Sequence, residues 1–171
     1  MMEEDNMYRK VAFCGLMIAL AMLVSYVEVL VPIPIPVPGI KLGLANGVIL
    51  FLLYRENLKI SALVSILRVL LSSFLFGNMA AMIYSLSGAL FSLLIMYVLK
   101  QSKLFSSVGV SMAGGVAHNI AQLVVAILVT KTKVLIYYLP VLMVAGVVTG
   151  FLIGYIMLLV NKNIRGKEEI L

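Results

Sequence analysis

The chain has 171 residues, 63% of them hydrophobic and 12% charged, with a formal net charge of +6. A water-soluble domain of this size needs far more polar surface to cover its core, so the composition excludes one and points to a chain held mostly in a bilayer. The basic residues stand singly or in pairs between apolar runs, so they read as topology signals and not as a nucleic-acid patch.

The first apolar run, Val11–Leu30, is too long for a signal-peptide core and has no small-x-small cleavage site, so a retained first helix is expected. Cys14, the one cysteine, lies inside it and has no Cys or His neighbour, which suits a small packing residue. The run VPIPIPVPG from Val31 to Gly39 follows. Alternating proline favours stiff, extended backbone, either a tie across the rim of a bundle or a hydrophobic lid over a pocket. The second segment, Ile40–Tyr54, is short for a span; it starts in the headgroup zone or packs inside the bundle. Ile60–Phe76, Met79–Leu99, Val108–Val129 and Val134–Val160 complete the set, the last with Pro140 near its start. Lipid cannot satisfy exposed backbone groups, so these segments are helices, and the ten-residue alternation of a membrane barrel is absent.

The expected fold is an all-α membrane protein, with six transmembrane helices in one compact bundle over residues 1–171. With both termini cytoplasmic, the inner side carries Arg9, Lys10, Arg55, Lys59, Lys100, Lys103, Lys162, Arg165 and Lys167. The outer side carries only Lys41, Lys131 and Lys133, so the positive-inside rule favours this orientation.

The remaining basic residue, Arg68, falls inside the third helix, where a guanidinium needs a partner or water. Its partner is either Glu28, the one acidic residue within a helix segment, or an anionic ligand group held bidentately. Asn46, Tyr84, Ser85, Ser87, His118, Asn119, Gln122, Tyr137 and Tyr138 fall from the middle to the outer half of their helices, while the inner halves are almost wholly apolar. That distribution predicts a cavity open to the outside and closed inside. Its ligand-binding candidates are Arg68, His118, Gln122, Asn46, Tyr84, Asn119, Tyr137, Tyr138 and Lys41. His118 and Gln122 share a helix face, and Asn119 is turned about 100° away, which favours a packing role for it. No second His or carboxylate completes a metal site, no aspartate lies beyond Asp5, and no Asp-rich or Walker motif occurs. A non-enzymatic protein without resident metal or cofactor is expected. Ala12, Gly15 and Ala19 make a small-residue face on the first helix, and Gly146, Gly150 and Gly154 make one on the sixth. Either face suits close packing, within the chain or against a partner.

Several stretches, among them PGIKLGLANGVILFLLY, RVLLSSFLFG, HNIAQLVVA and YYLPVLMVAGVVTGFLIG, resemble the bacterial membrane proteins known as heptaprenyl diphosphate synthase component I or Gx transporters. That family in turn resembles the substrate-binding S components of energy-coupling factor (ECF) transporters. The resemblance implies a multi-pass protein of the bacterial plasma membrane with a vitamin-sized pocket on its outer side. It also implies a transmembrane coupling subunit with ATPases as partner, touched through Ala12, Gly15 and Ala19. The synthase in the name requires Asp-rich magnesium sites that this chain lacks, so at most it is a partner of such an enzyme. The alternative function is a membrane module that holds a flavin, quinone or isoprenoid for a neighbouring enzyme.

Overall fold

The computed structural model describes the backbone of residues 2–30 and 41–168, and the side chains of 7–30 and 41–162. The proline run Val31–Gly39 lies outside the described residues, as does Ile40. The chain is all-α: α1 (Met2–Leu30), α2 (Asn46–Arg55), α3 (Leu58–Phe76), α4 (Met79–Ser102), α5 (Ser107–Thr130) and α6 (Leu139–Glu168), with a 3-10 helix at Lys133–Tyr138 before α6. Five of the helices are long and apolar enough to cross a membrane. The ten residues of α2 span about 15 Å, half of a hydrocarbon core of about 30 Å.

Local chemistry sets the joints. Asn57 starts α3 by accepting the Ile60 N–H at 3.0 Å, Asn78 starts α4 by accepting the Ala81 N–H at 2.8 Å, and Ser106 starts α5 by accepting the Gly109 N–H at 3.2 Å. Each side chain satisfies a donor that has no partner inside its own helix. These caps allow the two-residue joints Glu56–Asn57 and Gly77–Asn78, which fold successive helices back on each other. Pro140 sits in the first turn of α6, where its missing N–H costs nothing.

The helices form an incomplete ring in the order α1, α3, α4, α5, α6, and α2 occupies the middle, in contact with all five. This explains its shortness: α2 is a buried plug, with Val48, Ile49, Leu50, Leu52 and Leu53 forming much of the main core. Its C-terminal end is closed by α4, where the Lys100 ammonium donates to the Leu53 carbonyl and lies 5.1 Å from the centre of the Tyr54 ring. A cation at that carbonyl end offsets the partial negative charge of the helix terminus. Among the described residues α1 and α6 do not pack on each other, so the ring is open between them.

The structure moves several expected boundaries. α1 begins at Met2, not at Val11, because the polar start of the chain continues the helix. α2 begins at Asn46 rather than at residue 40, because Gly43 takes a positive φ of 84° and turns the chain before it. The sixth segment is a 3-10 turn followed by an α-helix, not one helix from Val134.

The two glycine-containing faces have different fates. A Cβ on Gly146 would meet the Gly115 backbone at 2.8 Å, and one on Gly150 would meet Met112 Cα at 2.6 Å. The α6 ridge is therefore consumed by α5 within the chain. By contrast, Ala12, Gly15 and Ala19 are exposed, and a Cβ on Gly15 would meet nothing within 4 Å. Gly150→Leu should separate α5 from α6 and destabilise the bundle by about 1–3 kcal/mol or more, whereas Gly15→Leu should leave it unchanged. Thermal unfolding of both variants in detergent checks this; equal midpoints would refute the close approach.

Candidate functional site

The polar residues of the bundle converge because each long helix buries one narrow stripe. On α1 the stripe is Met17, Ala21, Ser25 and Glu28; on α3 it is Ser61, Val64, Ser65, Arg68, Val69, Ser72 and Ser73. Both stripes follow helical spacing; that of α1 becomes polar toward its C-terminal end, and that of α3 carries serines along its whole length. On α5, His118 and Gln122 share the face turned toward α4 and the turn before α2.

Arg68 is 3% exposed and makes no hydrogen bond to Glu28. Its Nη1 donates to Ser25 Oγ at 3.2 Å and its Nη2 to Asn46 Oδ1 at 2.9 Å. Asn46 Nδ2 then donates to Ser92 Oγ at 3.4 Å, and that hydroxyl donates to the Gly114 carbonyl at 2.8 Å. One path of hydrogen bonds thus ties α1, α3, α2, α4 and α5. Glu28 is held separately: its Oε1 accepts the Leu44 N–H at 2.6 Å.

A second path fixes the histidine. The Lys41 N–H donates to Gln122 Oε1 at 2.9 Å, so the amide nitrogen of Gln122 faces His118 Nε2 and bonds to it. In that arrangement Nε2 is the acceptor and the ring proton sits on Nδ1. Two glycines make room for the ring. A Cβ on Gly43 would lie 2.9 Å from His118 Cδ2, and one on Gly88 would lie 2.8 Å from His118 Cε1.

A small cavity lies where these paths meet, bounded by Ser25, Glu28, Lys41, Gly43, Arg68, Val69, Ser72, Ser73, Ser85 and His118. The centre of a water-sized sphere can sweep about 10 Å³ in it, room for about one water molecule. Among the described residues, six of the nine buried polar side-chain atoms that lack a hydrogen-bond partner belong to residues lining it: Glu28 Oε2, Arg68 Nε, Ser72 Oγ, Ser73 Oγ, Ser85 Oγ and His118 Nδ1. Buried polar groups are rarely left unpaired, so this clustering singles out the cavity as the candidate site. Lys41 is 9% exposed; burial draws its ammonium below the usual lysine range, Glu28 opposes that shift and Arg68 adds to it.

Of the residues expected at a ligand site, Arg68, His118 and Lys41 line the cavity, and Asn46 and Gln122 stand behind them as hydrogen-bond partners. The others lie elsewhere. Asn119 donates to the Leu142 carbonyl of α6 at 2.7 Å. Tyr84 is buried against Leu123, Ala126, Leu135 and Leu142, Tyr138 packs on the same cluster, and Tyr137 is 79% exposed. No tyrosine wall faces the cavity. The cavity is also far smaller than a vitamin: Arg68 is held on Asn46, His118 is held on Gln122, and the space left between the two pairs is about one water molecule wide. Ser25, Ser72 and Ser73 were not among the expected residues. Their signal was the spacing to Glu28 and Arg68: three residues before Glu28, and four and five after Arg68, which places them at the same helix face or beside it.

A second, different concavity of about 480 Å³ fills the opening between α1 and α6, with α2 as its floor. Met17, Leu20 and Val24 form one wall, Ile153, Ile156, Met157 and Val160 the other, and among the described residues no charged side chain lines it.

These features define a class: a helical bundle with the length and polarity of a multi-pass membrane protein, and a charged, hydrogen-bonded cavity inside it. The chain belongs to the family described as heptaprenyl diphosphate synthase component I, which matches residues 17–160. No curated protein and no solved structure matches it.

Asn46 is the joint between the charged residue and the far helices. Asn46→Ala should strand the Arg68 Nη2 and Ser92 groups and cost about 1–3 kcal/mol. Ser87→Ala removes only a hydroxyl that bonds the Tyr84 carbonyl of its own helix, and should be near neutral. Comparing their unfolding midpoints with the wild type tests the network.

Proposed function

We propose that the protein is a non-catalytic membrane subunit that captures a small anionic molecule, in the manner of an ECF-transporter S component. The supporting observation is the cavity between Arg68, Lys41 and His118, where unpaired buried polar atoms are concentrated. Arg68 would hold the anionic group, because a guanidinium stays charged and presents directed donors. His118 would add an Nδ1–H donor. Binding anything larger than water requires the lining side chains to move apart, so capture and rearrangement would occur together. In this proposal the termini are cytoplasmic, the cavity lies in the outer half, and a coupling subunit with ATPases supplies the energy. The exposed face of Ala12, Gly15 and Ala19 is where that subunit would pack.

A second reading rests on the apolar groove between α1 and α6. Together with the family's description, it supports a non-catalytic partner of a polyprenyl diphosphate synthase, with an isoprenoid chain in the groove. Native mass spectrometry of the protein released from detergent separates the two. A small anion retained by the wild type and lost from Arg68→Ala supports capture. A retained isoprenoid, unaffected by Arg68→Ala, supports the second reading and counts against the first. Separately, Gly15→Leu with Ala19→Leu should abolish co-purification of ATPase subunits; their retention would refute the α1 contact.

A further inference from the structure

The cavity contains an acidic as well as a basic wall, and the two do not neutralise each other directly. Arg68 uses both Nη groups on Ser25 and Asn46, and its Nε is left buried and unpaired. Glu28, 3% exposed, uses Oε1 on the Leu44 N–H, and its Oε2 is left buried and unpaired. An internal ion pair would put guanidinium and carboxylate in contact, with both edges used. Here each charged group is anchored by other protein groups and keeps one free position at the same cavity. Two cationic side chains and one carboxyl also leave a formal excess of one positive charge.

We infer that Glu28 is a specificity-determining acceptor and that the ligand's head group is a monoanion carrying its own hydroxyl or N–H donor, such as a hydroxycarboxylate. The anion meets Arg68 Nε and balances the excess charge. The donor, a few ångströms away on the same head group, meets Glu28 Oε2. The hydroxyls of Ser72, Ser73 and Ser85 can donate or accept, so they adapt to either part. A simple carboxylate leaves Glu28 Oε2 without a partner, and a neutral diol leaves the positive charge unbalanced. Both losses are costly among side chains as deeply buried as Arg68, Glu28 and His118.

This inference rests on the proposed anion site, and three probes of similar size test it: racemic lactate, propanoate and propane-1,2-diol. Their affinities for the detergent-purified protein are read from concentration-dependent shifts of the unfolding midpoint. Lactate should bind about tenfold or more tightly than propanoate, the range expected for one hydrogen bond to a charged group, and the diol should not bind. Glu28→Gln keeps an oxygen for the Leu44 N–H and places an amide donor at the second position. It should shrink the preference for lactate severalfold, because the ligand hydroxyl then meets a neutral amide in place of a charged acceptor, while propanoate still binds. Equal binding of lactate and propanoate by the wild type overturns the role of Glu28 and leaves the anion site standing. Failure of both acids to bind overturns the anion site and this inference with it. The wild-type comparison decides the matter even if Glu28→Gln does not fold.

Discussion

A guanidinium buried inside an apolar bundle is the constraint on which the rest depends. Arg68 cannot shed its charge, and hydrocarbon offers it nothing. The fold therefore brings Ser25 from α1 and Asn46 from α2 to its Nη groups, and Asn46 carries the connection on to α4 and α5. Satisfying one cation in this way fixes the positions of five helices relative to one another. The short α2 follows from the same demand. Its first residue must reach Arg68 at the centre of the bundle, and its following turns fill the core beneath.

The α5–α6 seam and the cavity are held together in different ways. The seam packs by shape, with glycines of α6 set directly against the α5 backbone. Such a contact is close and has little freedom to rearrange. The surroundings of the cavity are held instead by side-chain hydrogen bonds. Hydroxyls of Ser72, Ser73 and Ser85 are unpaired, and Arg68 and Glu28 each retain a free position. Bonds of that kind can be exchanged for bonds to a guest at little net cost. The structure thus places its adaptable part where the charge is and its rigid part where the helices cross.

The surface divides in a similar way. The ridge of Gly146, Gly150 and Gly154 is fully used inside the chain, so it offers no contact to another protein. The α1 face is left uncovered, and so is the groove between α1 and α6. Both involve α1, the helix whose buried stripe is narrowest. One long helix with so little covered surface is the natural place for a lipid chain or a second membrane protein to pack.

The sequence by itself determined the helical, membrane-type composition of the chain, the number of apolar segments and the unusual status of Arg68. It could do so because lipid penalises exposed backbone and buried charge whatever the detailed packing. The helix pattern also placed His118 and Gln122 on one face, and Asn119 away from them, since spacing alone fixes that angle. Only the tertiary structure decided which polar residues meet. Tyr84, Tyr137 and Tyr138 share the depth of the cavity in a linear reading, but their helix faces are turned elsewhere. Glu28 and Arg68, natural partners by charge, are each claimed by other groups, because the turn at Gly43 brings the Leu44 N–H to the carboxyl and Asn46 to the guanidinium. That turn depends on a positive φ and on the space beside His118, and neither can be read from a list of residues in order.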